Sequence, residues 1–206
     1  MSRRSRPRVL GIRVLSLSIL LLGIGSSTYA THTPRIVNGI TGSDYPSVGM
    51  LLLYEATDPN AVEGLCSGTL VGCRTFVTAA HCVCPEYANN ATVCHRDGLR
   101  PPSRMSVFFQ HAGIVDIDTV AIHPTYDFTQ GGDIAVLTLS EPVSGILPSP
   151  LYTDDRLPSD SEGVVVGFGR TGGSPFTNLD AGVKRFGSVS TSMCPSGINN
   201  DTHLCW

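Results

Sequence analysis

Apolar and polar positions along this chain alternate in short bursts, a period of two that predicts strands. Ser47 to Tyr54 (SVGMLLLY) is one apolar burst, and Thr69-Leu70-Val71 with Phe76-Val77 reads as the two arms of a buried β-hairpin. Met105 to Phe109, Val115 to Ile122, Ile134 to Leu139 and Val183 to Val189 give further strands. Asp58-Pro59-Asn60 marks a turn, and residues 83–104 read as a polar loop. No internal repeat appears, and no low-complexity linker separates two independent domains.

One apolar run does not fit that pattern. Val14 to Ile24 follows Arg3, Arg4, Arg6, Arg8 and Arg13 and is too short for a stable membrane span. It suits the core of a signal peptide, and Thr28-Tyr29-Ala30 supplies small residues at the cleavage positions. Residues 1–30 are therefore expected to be a removable leader and the protein to be secreted. Arg3-Arg4 also hints at a twin-arginine export signal.

Composition sharpens the fold class. With 41% hydrophobic and 15% charged residues, 22 Gly and 14 Pro, the chain suits a turn-rich all-β globule. Ile36–Trp206 holds eight basic against 17 acidic side chains, a net charge of −9, which argues against nucleic acid as a partner. Seven cysteines behind an export leader imply disulfides. A metal site drawn from Cys82, Cys84, Cys94 and His95 is the rival, but their spacing matches no common zinc knuckle.

Two residues stand out chemically. His81 stands next to last in the run CSGTLVGCRTFVTAAHC from Cys66 to Cys82, where small residues allow close approach and set the imidazole at a turn. Asp133 enters the apolar run Ile134-Ala135-Val136-Leu137, where a carboxylate is costly unless something pairs with it.

The Thr78-Ala79-Ala80-His81-Cys82 run closely resembles the general-base segment of the trypsin/chymotrypsin-like serine proteases. His123-Pro124-Thr125-Tyr126 through Asp133-Ile134-Ala135 to Val143 resembles the family segment whose aspartate orients that histidine. The resemblance implies that His81 is the base and Asp133 its orienting carboxylate, and that His123 has no catalytic role. It also implies disulfides Cys66–Cys82 and Cys194–Cys205. Cys73, Cys84 and Cys94 are left, with three possible ways to form one further bridge. Arg35-Ile36-Val37-Asn38-Gly39 resembles the family's activation site, so cleavage after Arg35 would free the Ile36 ammonium.

The fold implied is the family's double Greek-key β-barrel. The first barrel runs complete to about residue 143, residues 144–160 connect, and 161–206 form a partial second barrel that opens on Gly163 to Thr171, with Phe168 where the family has tryptophan. Residues 31–35 would be the activation propeptide and 36–206 the protease domain. Protein or peptide would be the substrate, with no cofactor and no metal; oligomeric state is open. The family's nucleophile lies in GDSGGP, and no such motif occurs in the 206 residues. Ser174 and Ser196 share only glycine neighbours with it. The leading reading is a secreted serine endopeptidase whose serine is missing from this chain; the alternative is a non-catalytic homologue acting as a binding protein, or an inactive fragment.

Overall fold

In the computed structural model, the described residues are 39–58, 60–154, 157–158, 160–169, 181–198 and 203–205. Arg35, Ile36, the expected leader and Ser174 lie outside them. Nine strands are described: β1 (Ile40–Thr41), β2 (Val48–Tyr54), β3 (Val62–Gly72), β4 (Thr75–Thr78), β5 (Met105–Phe109), β6 (Gly113–Ile122), β7 (Ala135–Leu139), β8 (Glu162–Gly167) and β9 (Arg185–Ser190).

Strands β2-β3-β4-β7-β6-β5 close into a barrel, every neighbour antiparallel. Alternation works as the pleat requires: on β7, Ala135, Leu137 and Leu139 point inward while Val136 faces out. Leu51, Leu70, Phe76, Val107 and Phe109 complete the fully buried centre, with the Phe76 and Phe109 rings edge to face at 5.8 Å. Closing the sheet leaves this barrel without an exposed strand edge.

Gly68 shows how tight the packing is. A Cβ there would collide with the Val77 carbonyl oxygen and the Phe76 ring. Gly68→Ala is therefore expected to destabilise the protein by about 1–3 kcal/mol. An unchanged urea midpoint would contradict that.

A second sheet, in the order β1-β9-β8, lies outside the barrel. Its β1 pairs Ile40 with Phe186 and Thr41 with Arg185, so the first described strand belongs to the C-terminal sheet. The chain's single lysine, Lys184, is buried beside it and donates from Nζ to the Tyr45 carbonyl at 3.1 Å. Burial pushes the pKa of its ammonium down, against the opposing pull of Asp44.

The segment expected as a polar loop is partly helical. It contains α1 (Ala91–Asp97), capped by Asn90, whose side-chain oxygen accepts from the Val93 N–H at 2.9 Å. A disulfide joins Cys84 to Cys94 across this segment, leaving Cys73 free and exposed.

Candidate active site

Barrel register assembles the site. Thr78 at the end of β4 pairs with Ala135 at the start of β7. Because the strands are antiparallel, the chain leaving β4 and the chain entering β7 meet at the same barrel end. Three residues beyond Thr78 comes His81, in a 3₁₀ turn Ala80–Cys82, and two residues before Ala135 stands Asp133.

Ala79 and Ala80 serve as the close-approach residues of that turn. Ala80 is fully buried, and its carbonyl accepts from the N–H groups of Val83 and Cys84 at 3.0 and 3.2 Å. On the approach to β7, Gly131 and Gly132 adopt φ of 125° and 70°, a region that favours glycine. A Cβ on Gly132 would also sit 3.1 Å from the Thr125 carbonyl oxygen.

Asp133 grips His81 twice. The His81 backbone N–H donates to Oδ1 at 2.9 Å, and Nδ1 meets Oδ2 at 2.7 Å. A carboxylate can only accept, so Nδ1 carries the proton, and in the neutral ring Nε2 is left with a free lone pair. Both side chains are partly open, at 46% for His81 and 29% for Asp133. Tyr126 is buried and donates to the Ala88 carbonyl at 3.2 Å. Burial, with the charges of Asp133 and Asp127 adding to it, pushes the pKa of its phenol up.

The structure joins Cys66 to Cys82, with Cα atoms 6.2 Å apart, directly beside His81. Cys82 Sγ lies 3.5 Å from His81 Nε2. Cys66, His81 and Cys82 together bring three donor atoms within 4.8 Å, but both sulfurs are committed to the disulfide and offer no thiolate to a metal. Cys194 and Cys205 are likewise joined, with Cα atoms 5.2 Å apart. His123 is engaged by its own turn, its Nδ1 2.9 Å from the Thr125 hydroxyl. Ser196 is exposed in a turn closed by the Ile198 N–H on the Pro195 carbonyl.

A cleft of about 570 Å³ opens on the disulfide side of His81, lined among others by Met50, Glu63, Leu65, Ser67 and Phe168. Ser67 accepts from the Phe168 N–H through Oγ at 2.8 Å, tying the second sheet to β3 beside the site. Neither Ser67 nor Phe128 was legible in the sequence as a site residue. Phe128, 59% exposed, sets its ring edge to face with the His81 imidazole at 5.6 Å. Asp127 fixes its loop by accepting from the Thr129 hydroxyl at 2.7 Å and from the Thr129 and Gln130 N–H groups. Those bonds, the hydroxyl's first, hold the Asp127 carboxyl below its usual pKa.

Compared with known proteins, residues 44–206 match the family model described as Trypsin. The chain belongs to the trypsin family. Its barrel and second antiparallel sheet are the architecture of the trypsin-like double β-barrel. A trypsin of Phaedon cochleariae is 25% identical over 202 residues, covering 91% of this chain and 72% of its own length. A tryptase of Mus musculus is 31% identical over 123 residues, covering 57% of this chain and 40% of its own length. "Trypsin, alkaline B" of Manduca sexta is 31% identical over 135 residues, covering 63% and 48%. The chain thus spans most of the Phaedon cochleariae trypsin but less than half of the other two.

Proposed function

We propose that this chain carries the base and the orienting carboxylate of a secreted serine endopeptidase of the trypsin family, acting on protein or peptide substrates. The observation that carries this reading is the 2.7 Å contact between His81 Nδ1 and Asp133 Oδ2. With Nδ1 so engaged, Nε2 is free to take the proton of a serine hydroxyl as that oxygen adds to the scissile carbonyl. Asp133 then faces the imidazolium that forms, and Nε2 returns the proton to the leaving amine.

Residues 1–30 act as the leader, 31–35 as the activation peptide and 36–206 as the protease domain. Its first barrel ends near residue 143, and 161–206 belong to the second. The disulfides favour an oxidising, extracellular destination. Cleavage between Arg35 and Ile36 activates the zymogen by freeing an ammonium that becomes stable inside the protein only when paired. Secreted protein should begin at Thr31 before activation and at Ile36 after it, as N-terminal sequencing would reveal.

The nucleophile is not among these 206 residues, which contain no GDSGGP. A fluorophosphonate probe should leave the 206-residue polypeptide unlabelled. It should label a polypeptide extended through a downstream reading frame that supplies the serine, and His81→Ala should abolish that labelling. Labelling of the 206-residue form would place the nucleophile within it. No labelling of either form would favour the binding homologue.

A further inference from the structure

The Asn90-Ala91-Thr92 sequon plays no part in the chemistry above. We propose that Asn90 is an N-glycosylation site, placed beside the loop whose Phe128 meets His81. The two ends of its amide do separate jobs. Oδ1 caps α1 by accepting from the Val93 N–H at 2.9 Å, while Nδ2 donates only outward, to the exposed Asn89 side chain at 3.0 Å. A sugar on Nδ2 therefore displaces a surface contact and leaves the cap intact. Thr92 is on the exposed side of α1, whereas Ala91 and Cys94 face the core. The Cys84–Cys94 bridge holds the turn that presents the site.

The transfer balances without a redox partner. Asn90 Nδ2 attacks the anomeric carbon of a polyprenyl-diphosphate-linked oligosaccharide, forming the N–C bond as the C–O bond breaks. The lipid diphosphate leaves, and one amide proton passes to solvent. Location gives the modification its interest: Asn90 bridges to Asp127, and the neighbouring Asn89 carbonyl accepts from the Phe128 N–H at 2.8 Å. Phe128 is the ring that meets His81.

This inference rests on the export reading of residues 1–30, and its test separates the two. The full chain is translated with eukaryotic microsomes, once behind its own leader and once behind a leader already known to be exported. A Thr202→Ala background silences the second sequon, Asn200-Asp201-Thr202. Expected is a single-glycan mobility shift, removed by peptide N-glycosidase and mapped by mass spectrometry to the peptide containing Asn90. Thr92→Ala, which keeps the Asn90 cap, should lose the shift entirely, and Thr92→Ser should retain it. Lumenal, protease-protected protein unmodified at Asn90 behind the known leader would overturn the proposal. Modification behind that leader but not behind residues 1–30 would overturn the export reading and leave the site standing.

Discussion

In a form of the protein that includes the nucleophile, Asp133→Asn should lower kcat/KM by about 10⁴-fold, the size of effect general to this triad. The physical reason is tautomeric. Asp133 can only accept at Nδ1, whereas an asparagine can turn its amide nitrogen toward the ring, donate to Nδ1 and drive the proton onto Nε2. An imidazole protonated at Nε2 is no longer a base for the serine. The fall should appear in kcat with little change in KM, because the substituted atom serves the transition state and touches no substrate. Steady-state kinetics on a peptide substrate, with the urea midpoint checked alongside, would measure this. A loss under about tenfold would remove Asp133 from its proposed role.

The largest expected effect on stability comes from Phe76→Ala. Phe76 is wholly buried, stacked edge to face on Phe109 in the first barrel. Truncations of this kind cost about 3–5 kcal/mol, from the lost transfer energy and the cavity left behind. A domain of this size is stable by only about 5–15 kcal/mol, so much of the margin would go. Phe76 also lies on β4, five residues before His81, and the strand's register against β7 is what brings His81 to Asp133. The urea midpoint should fall sharply with an unchanged slope. A shift under about 1 kcal/mol would mean that the core repacks around the loss.

How much of this was legible in the sequence depended on the range of the interactions. Met105–Phe109 is a strand to the residue, because its ends coincide with changes in local pattern. Ile134 was expected to open the strand running to Leu139, but it is 49% exposed and pairing begins at Ala135. Val183 to Val189 was expected as a strand and is displaced to Arg185–Ser190, since Lys184 is drawn inward to the Tyr45 carbonyl. The helix α1 escaped notice because it buries only Ala91 and Cys94, too few positions to set a helical period. Phe128 and Ser67 acquire their places through partners 47 and 101 positions away, respectively, which no local pattern encodes. His81 and Asp133 were readable because each sits in a short, distinctive run, and the β4–β7 register then joins them.

The most direct test of the account needs no nucleophile. At a pH where the ring is neutral, nitrogen-15 NMR of the 206-residue protein selectively labelled at histidine should find His81 protonated at Nδ1 and bare at Nε2. Asp133→Asn should reverse that assignment. A proton on Nε2 in the unaltered protein, or a spectrum indifferent to Asp133→Asn, would contradict the claim that Asp133 sets His81 up as the base.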